Sequence, residues 1–151
     1  MMFETCHTPF EVAHVYRGMG FPVSCRFGRV AVTASRSLGA VVMPPDVGTL
    51  VRQELEHDHD ITAPVLTYHR PRRDWVFVVG PGSGVAAGAA ARAALHRAGV
   101  RVLTEGQQVW LPMSDQPLTW YWIWPPTTAQ ALPSRSTVLA TARRQLLTGR
   151  R

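Results

Sequence analysis

The sequence predicts an α+β fold organised as one domain over residues 1–151, on three observations. Between 38 and 111, short β-branched stretches alternate with segments whose apolar residues recur at helical spacing. Gly and Pro clusters punctuate nearly every junction. The composition, 46% hydrophobic with 17% charged, is that of a chain that buries a core, and 151 residues suffice for one such core but are short for two.

The elements follow in order. Thr8-Pro9-Phe10-Glu11 opens a helix, with Thr8 as cap, Pro9 at the first helical position and Glu11 completing a capping box three residues on. Gly18 and Gly20 stop it after about Arg17. Strands over 23–27, 29–34 and 38–43, separated by Gly28 and by Ser35-Arg36-Ser37, are expected to form a meander. Pro44-Pro45-Asp46 ends the third, and Val47, Leu50, Val51 and Leu55 then give a helix over 46–56. Strands over 64–69 and 75–79 flank Arg70-Pro71-Arg72-Arg73-Asp74, a hairpin connection with three arginines at its tip. Gly80-Pro81-Gly82-Ser83-Gly84 leads into an Ala-rich helix over 85–97 closed by Gly99. Strands over 100–104 and 107–111 pair around Glu105-Gly106.

From 38 to 111 the order is therefore strand, helix, strand, strand, helix, strand, with an added hairpin partner. That is the ferredoxin-like split β-α-β-β-α-β pattern, two helices on one face of an antiparallel sheet. An N-terminal helix and meander precede this core, and a C-terminal helix over 134–147 follows Trp124-Pro125-Pro126. Gly149-Arg150-Arg151 is expected to fray.

The net charge is +6, and all sixteen basic residues are Arg, with no Lys or Asn anywhere. That usage has the look of a GC-rich genome, so the choice of Arg says little about phosphate recognition. The positive charge itself attracts polyanions and acidic partners, which makes nucleic acid an expected partner and a protein the alternative. Cys6 and Cys25 show no zinc spacing or disulfide framework, and no signal peptide or membrane span is evident. A cytoplasmic protein without cofactor is the expectation.

Four stretches carry candidate chemistry. Glu54-Leu55-Glu56-His57-Asp58-His59-Asp60 holds four of the ten acidic residues, and Asp58 and Asp60 would share one face if the segment were a strand. It falls, however, after the second helix, where a solvated loop is the plainer reading, and no second ligand cluster completes a metal site. Gly80 to Gly84 matches neither a Walker A loop nor a dinucleotide fingerprint, so Ser83 reads as a helix cap. Trp120, Trp122 and Trp124 alternate, which in an extended chain puts three indoles on one face, and core is favoured over an exposed platform. The hairpin residues Arg70, Arg72 and Arg73 beside Trp75 combine positive charge with an aromatic ring, the pairing that grips a phosphodiester backbone and stacks a base.

Over residues 38–126 the chain resembles small actinobacterial proteins of the bifunctional primase-polymerase type, within the archaeo-eukaryotic primase superfamily. The likeness lies in LGAVVMP followed by a helix, in APVLTYHRPRRDWVFVVGPG and in VWLPMSDQPLTWYWIWPP. It implies an RRM-like sheet and, in active members, metal-dependent nucleotidyl transfer through an Asp-x-Asp pair on the strand matched by LGAVVMP. Here Gly39 to Val42 stand at those positions, no carboxylate occurs between Glu11 and Asp46, and Arg73-Asp74-Trp75-Val76-Phe77 lacks the histidine of the family's later strand. The resemblance thus implies the fold and argues against the activity. It suggests a catalytically inactive domain that binds nucleic acid or nucleotide through Arg70, Arg72, Arg73 and Trp75. The alternatives are a protein-interaction or regulatory module and, third, an enzyme using Asp58 and Asp60 with a divalent metal.

Overall fold

A computed structural model describes residues 2–68, 73–82, 89–116 and 120–149. Helix α1 spans Pro9–Gly18, and the Thr8 hydroxyl accepts from Glu11 N as expected of its cap. The returning Glu11 carboxylate accepts from His7 N at 2.8 Å, one residue before the cap. Strands β1 (Val23–Arg26) and β2 (Arg29–Thr33) then pair antiparallel.

The chain is α+β, with two antiparallel sheets. The smaller has the order β1-β2-β7, with β7 at Gln108–Trp110. The larger has the order β6-β3-β5-β4-β8, formed by β3 (Gly39–Met43), β4 (Val65–Tyr68), β5 (Trp75–Val79), β6 (Arg101–Val102) and β8 (Trp120–Trp124). Helices α2 (Pro45–His59), α3 (Ala89–Arg97) and α4 (Arg135–Thr148) complete the elements named here, together with one 3-10 turn at Ala129–Ala131. The expected start of α3, at 85, lies outside the described residues.

Alternation along the strands divides the core in two. Val41, Met43, Val65, Phe77 and Val79 face Val51 and Leu55 of α2, Leu95 of α3 and Val138 of α4. Ala40, Val42, Leu66, Val76 and Val78 face Tyr16 of α1 and Val30, Val32 and Val109 of the smaller sheet. Both faces of the larger sheet are thus covered, which is why β3 reads Gly-Ala-Val-Val-Met without polar alternation.

Two expected pairings are corrected. The meander ends after β2, which pairs with β7, while β3 enters the other sheet between β5 and β6. Ser35-Arg36-Ser37 is therefore a crossing between sheets: Ala34 N donates to Gln107 O, and Gly106 N donates to Ala34 O. The crossing lets the wholly apolar β3 bury both of its faces. Likewise β6 and β7 do not pair with each other, although a tight turn joins them, with Gln107 N donating to Thr104 O and Gly106 at φ +89°.

Helix α2 also runs past its expected end at 56. Asp60 takes the left-handed conformation, φ +52°, and both Asp60 N and Ile61 N donate to Leu55 O, the latter at 2.9 Å, a closure wider than the six-residue Schellman one. An aspartate here does what a glycine usually does, so no glycine marks the stop. Among the described residues, no helix is long and apolar enough to cross a membrane.

Candidate nucleic-acid interface

The β4–β5 connection carries the expected basic hairpin. Arg70 and Arg72 lie outside the described residues; Arg73 is exposed, and Asp74 O accepts from the buried Thr67 hydroxyl at 3.0 Å. Trp75 opens β5 opposite Met43 and Thr67. Its ring lies over Gly48 of α2, where a Cβ would come within 2.7 Å of Trp75 Cε3, and meets Trp124 edge-on at 5.4 Å. Trp75 is half-buried and packed on the helix side of the sheet, so this face of its indole is already occupied.

The expected single face of Trp120, Trp122 and Trp124 is corrected by a bulge. Leu66 pairs with Trp122 but Val65 pairs with Trp124, so one residue of β4 advances against two of β8. Trp122 points to the α1 side and donates from Nε1 to the Tyr16 hydroxyl at 2.8 Å. Trp120 tilts against Tyr68, and the Arg29 guanidinium stands 5.5 Å over its ring. Trp124 falls to the helix side beside Trp75, with the Arg52 guanidinium stacked 3.3 Å from its ring centre.

The acidic stretch of 54–60 is corrected too, from a loop to the last turns of α2. Asp58 lies on the last turn of α2 and Asp60 leaves the helix in the left-handed conformation, so the two do not stand on one face as they would on a strand. Glu56 pairs with Arg52 at 3.1 Å. Glu54 ties α2 to α4, accepting from Arg144 at 2.6 and 3.1 Å and from Gln145 at 3.1 Å. Among the described residues, no three His, Cys, Asp or Glu side chains gather as a metal site would require.

Hydrogen bonds from Arg144 hold the Glu54 carboxyl below the usual carboxylate range. A carboxyl depressed in the folded state stabilises above its unfolded pKa, about 4.5, and loses that contribution as pH falls through the folded value. Arg144 is half exposed, so Glu54→Gln is expected to cost only about 1 kcal/mol at pH 7 and less at pH 3. Urea midpoints at the two pH values check this.

Gly80-Pro81-Gly82 rests on the start of α4: Gly80 N donates to Pro133 O at 2.8 Å, and a Cβ on Gly82 would lie 3.2 Å from Ser136 Oγ. Ser83, read as a helix cap, and Gly84 lie outside the described residues. Beside this contact a groove of about 1230 Å³ runs between α3, α4 and the β6 edge. Leu95, Val100, Val102 and Leu139 line it, with Arg92, Arg101, Arg135 and Arg143 also on its walls. His96 also lines it, and no Phe, Tyr or Trp does among the described residues.

One feature was not singled out from the sequence. Arg26-Phe27-Gly28-Arg29 closes the β1–β2 hairpin, with Arg26 directly opposite Arg29 and Phe27 96% exposed. Its signal is a two-residue strand connection reading Phe-Gly where Asn-Gly is favoured. Arg29 is also the residue that overlies Trp120, and Trp120 pairs with Tyr68, from which the chain enters the arginine hairpin.

No family model, curated protein or solved structure matches this chain.

Proposed function

We propose that the chain is a catalytically inactive primase-polymerase-like protein with an RRM-like split core, binding nucleic acid or nucleotide without turning it over. The strand order β6-β3-β5-β4, with α2 between β3 and β4 and α3 between β5 and β6, supports the split arrangement. Strand β3 corresponds to the family's carboxylate-bearing strand, and its five residues are apolar or glycine and all buried. A carboxylate pair introduced there would meet packed side chains on both faces.

The observation that carries the binding half is the basic, aromatic end of the larger sheet. Arg73 is exposed there, Tyr68 and Trp120 stand side by side, and Arg29 covers Trp120. The flat sheet face is not available, because α1 and the smaller sheet cover it. Binding therefore falls to the strand ends and their loops, with Arg70, Arg72 and Arg73 on the phosphates. Trp75, already packed on Gly48, contributes as a support for this end and less as a free stacking ring.

The test is fluorescence anisotropy of a labelled single strand against the wild type and an Arg70→Ala/Arg72→Ala/Arg73→Ala variant. Removing three phosphate contacts is expected to weaken binding at least tenfold and to reduce the salt slope by about 2. Unchanged affinity and slope in a folded variant would remove the hairpin from the interface.

The α3–α4 groove favours a second reading, a protein-interaction module. Aliphatic lining with arginines and no Phe, Tyr or Trp among the described residues suits an acidic amphipathic segment better than a stacked base. A partner lost on Arg101→Glu/Arg143→Glu but kept on Arg72→Ala would support it.

A further inference from the structure

We infer that the β1–β2 hairpin tip, Arg26-Phe27-Gly28-Arg29, is a base-stacking contact for single-stranded nucleic acid, with Phe27 against an unpaired base and Arg26 and Arg29 on the flanking phosphates. The inference rests on the nucleic-acid reading above and adds a site on a different element.

Three local features of the tip each oppose the stability of the isolated protein. Phe27 and Gly28 form the two-residue loop, and both take positive φ, +52° and +69°. Glycine accepts this readily; for a bulky aromatic residue it is an outlier, and Asn or Asp is the usual choice at the first position. The Phe27 ring is 96% exposed and takes part in none of the ring contacts that join Phe3, Tyr16, Phe21 and Trp122. Arg26 and Arg29 are directly opposed across the strands, an unfavourable like-charge pair, and neither has an ion-pair partner among the described residues.

One ligand relieves the last two and makes use of the first. A phosphodiester on each side neutralises the opposed arginines, and a base covers the exposed ring, which the left-handed turn holds out at the apex of the hairpin. Continuity favours nucleic acid over other anions. Arg29 lies over Trp120, Trp120 pairs with Tyr68, and Tyr68 is the last described residue before the arginine hairpin. A single strand, unlike a lone phosphate, can thus touch both the tip and the Tyr68–Trp120 pair that Arg29 joins to it.

The experiment uses the full chain with Phe27→Asn, Phe27→Trp and Arg26→Ala, and a labelled oligothymidylate of about 16 nucleotides, within the usual range of single-strand sites. Phe27→Asn suits the turn better than Phe, so it should fold and unfold at a higher temperature while binding roughly tenfold more weakly, as loss of one stacked base predicts. Its salt slope should stay unchanged, whereas Arg26→Ala should lower the slope by about 0.7. Phe27→Trp should bind as well as the wild type or better. Wild-type binding with undiminished affinity in Phe27→Asn would overturn this inference and leave the nucleic-acid reading standing. No binding by the wild type at low salt would overturn both. Phe27-dependent binding to phosphatidylserine vesicles, without Phe27 dependence on the oligonucleotide, would assign the tip to a lipid surface and overturn it as well.

Discussion

Tyr16→Phe is expected to destabilise the protein by roughly 2–4 kcal/mol, although it removes a single oxygen atom. Tyr16 is 0% exposed. Its hydroxyl donates to Pro112 O and accepts from Trp122 Nε1, so it joins α1 to β8 and to the segment after β7. Without it, a buried carbonyl and an indole N–H both lose their partner, and each unsatisfied group costs about 1–3 kcal/mol. The urea midpoint should fall with the m-value unchanged. A change below about 0.5 kcal/mol, the usual scatter of surface substitutions, would mean that water or another group replaces the hydroxyl.

The same residue predicts an alkaline limit. Burial pushes the Tyr16 phenol far above its ordinary pKa of 10.0. The unfolded chain therefore releases this proton near pH 10 while the folded chain keeps it. A group whose folded pKa is raised stabilises fully below the unfolded value, and the contribution is lost as pH rises beyond it. Stability should fall above pH 10 by up to about 1.4 kcal/mol per unit from this group, and Tyr16→Phe should remove that part of the slope.

Gly48→Ala is expected to destabilise by roughly 1–3 kcal/mol, against the ordinary preference of helices for alanine, which is worth about 1 kcal/mol the other way. The new Cβ would stand 2.7 Å from Trp75 Cε3 and 3.0 Å from Cδ2. These atoms belong to the body of an indole that is itself held by Trp124 and Phe77, so the ring has little room to retreat. Pairing the change with Trp75→Ala should restore part of the loss, a coupling of about 1 kcal/mol or more. Stabilisation by Gly48→Ala alone would show that the ring does not rest on the helix as described.

What could be read in the sequence was what is local. Thr8-Pro9 with Glu11 announced α1, and a helix over 134–147 was expected where α4 lies, although the Ser134 cap on Thr137 N was not read. The apolar strand over 38–43 and the order of strands and helices from 38 to 111 were equally plain, whereas β8 was not expected to join the sheet. What could not be read were choices made by distant partners. Ser35-Arg36-Ser37 has the residues of a hairpin turn, yet the backbone of Ala34 is satisfied by Gly106 and Gln107, some seventy positions on. The bulge that separates Trp124 from Trp122 lies in β8 but shows only against β4, where the consecutive Val65 and Leu66 pair with them. Asp60 ended α2 in the left-handed conformation that its charged neighbours disguised as a loop.

The basic end of the sheet was half legible in the same sense. Arg70, Arg72 and Arg73 stood out as a run, whereas Arg26 and Arg29 look scattered until β-pairing sets them opposite each other. Arg29 meets the larger sheet through its position over Trp120. Proximity of that kind has no sequence spacing to betray it.

The central claim is that the chain binds nucleic acid as a polyanion, and a salt titration of oligonucleotide binding tests it most directly. With about five arginine contacts to a single strand, the logarithm of the binding constant should fall with the logarithm of salt concentration at a slope near −3.5. Absence of binding at low salt, or affinity that does not change with salt, would contradict it.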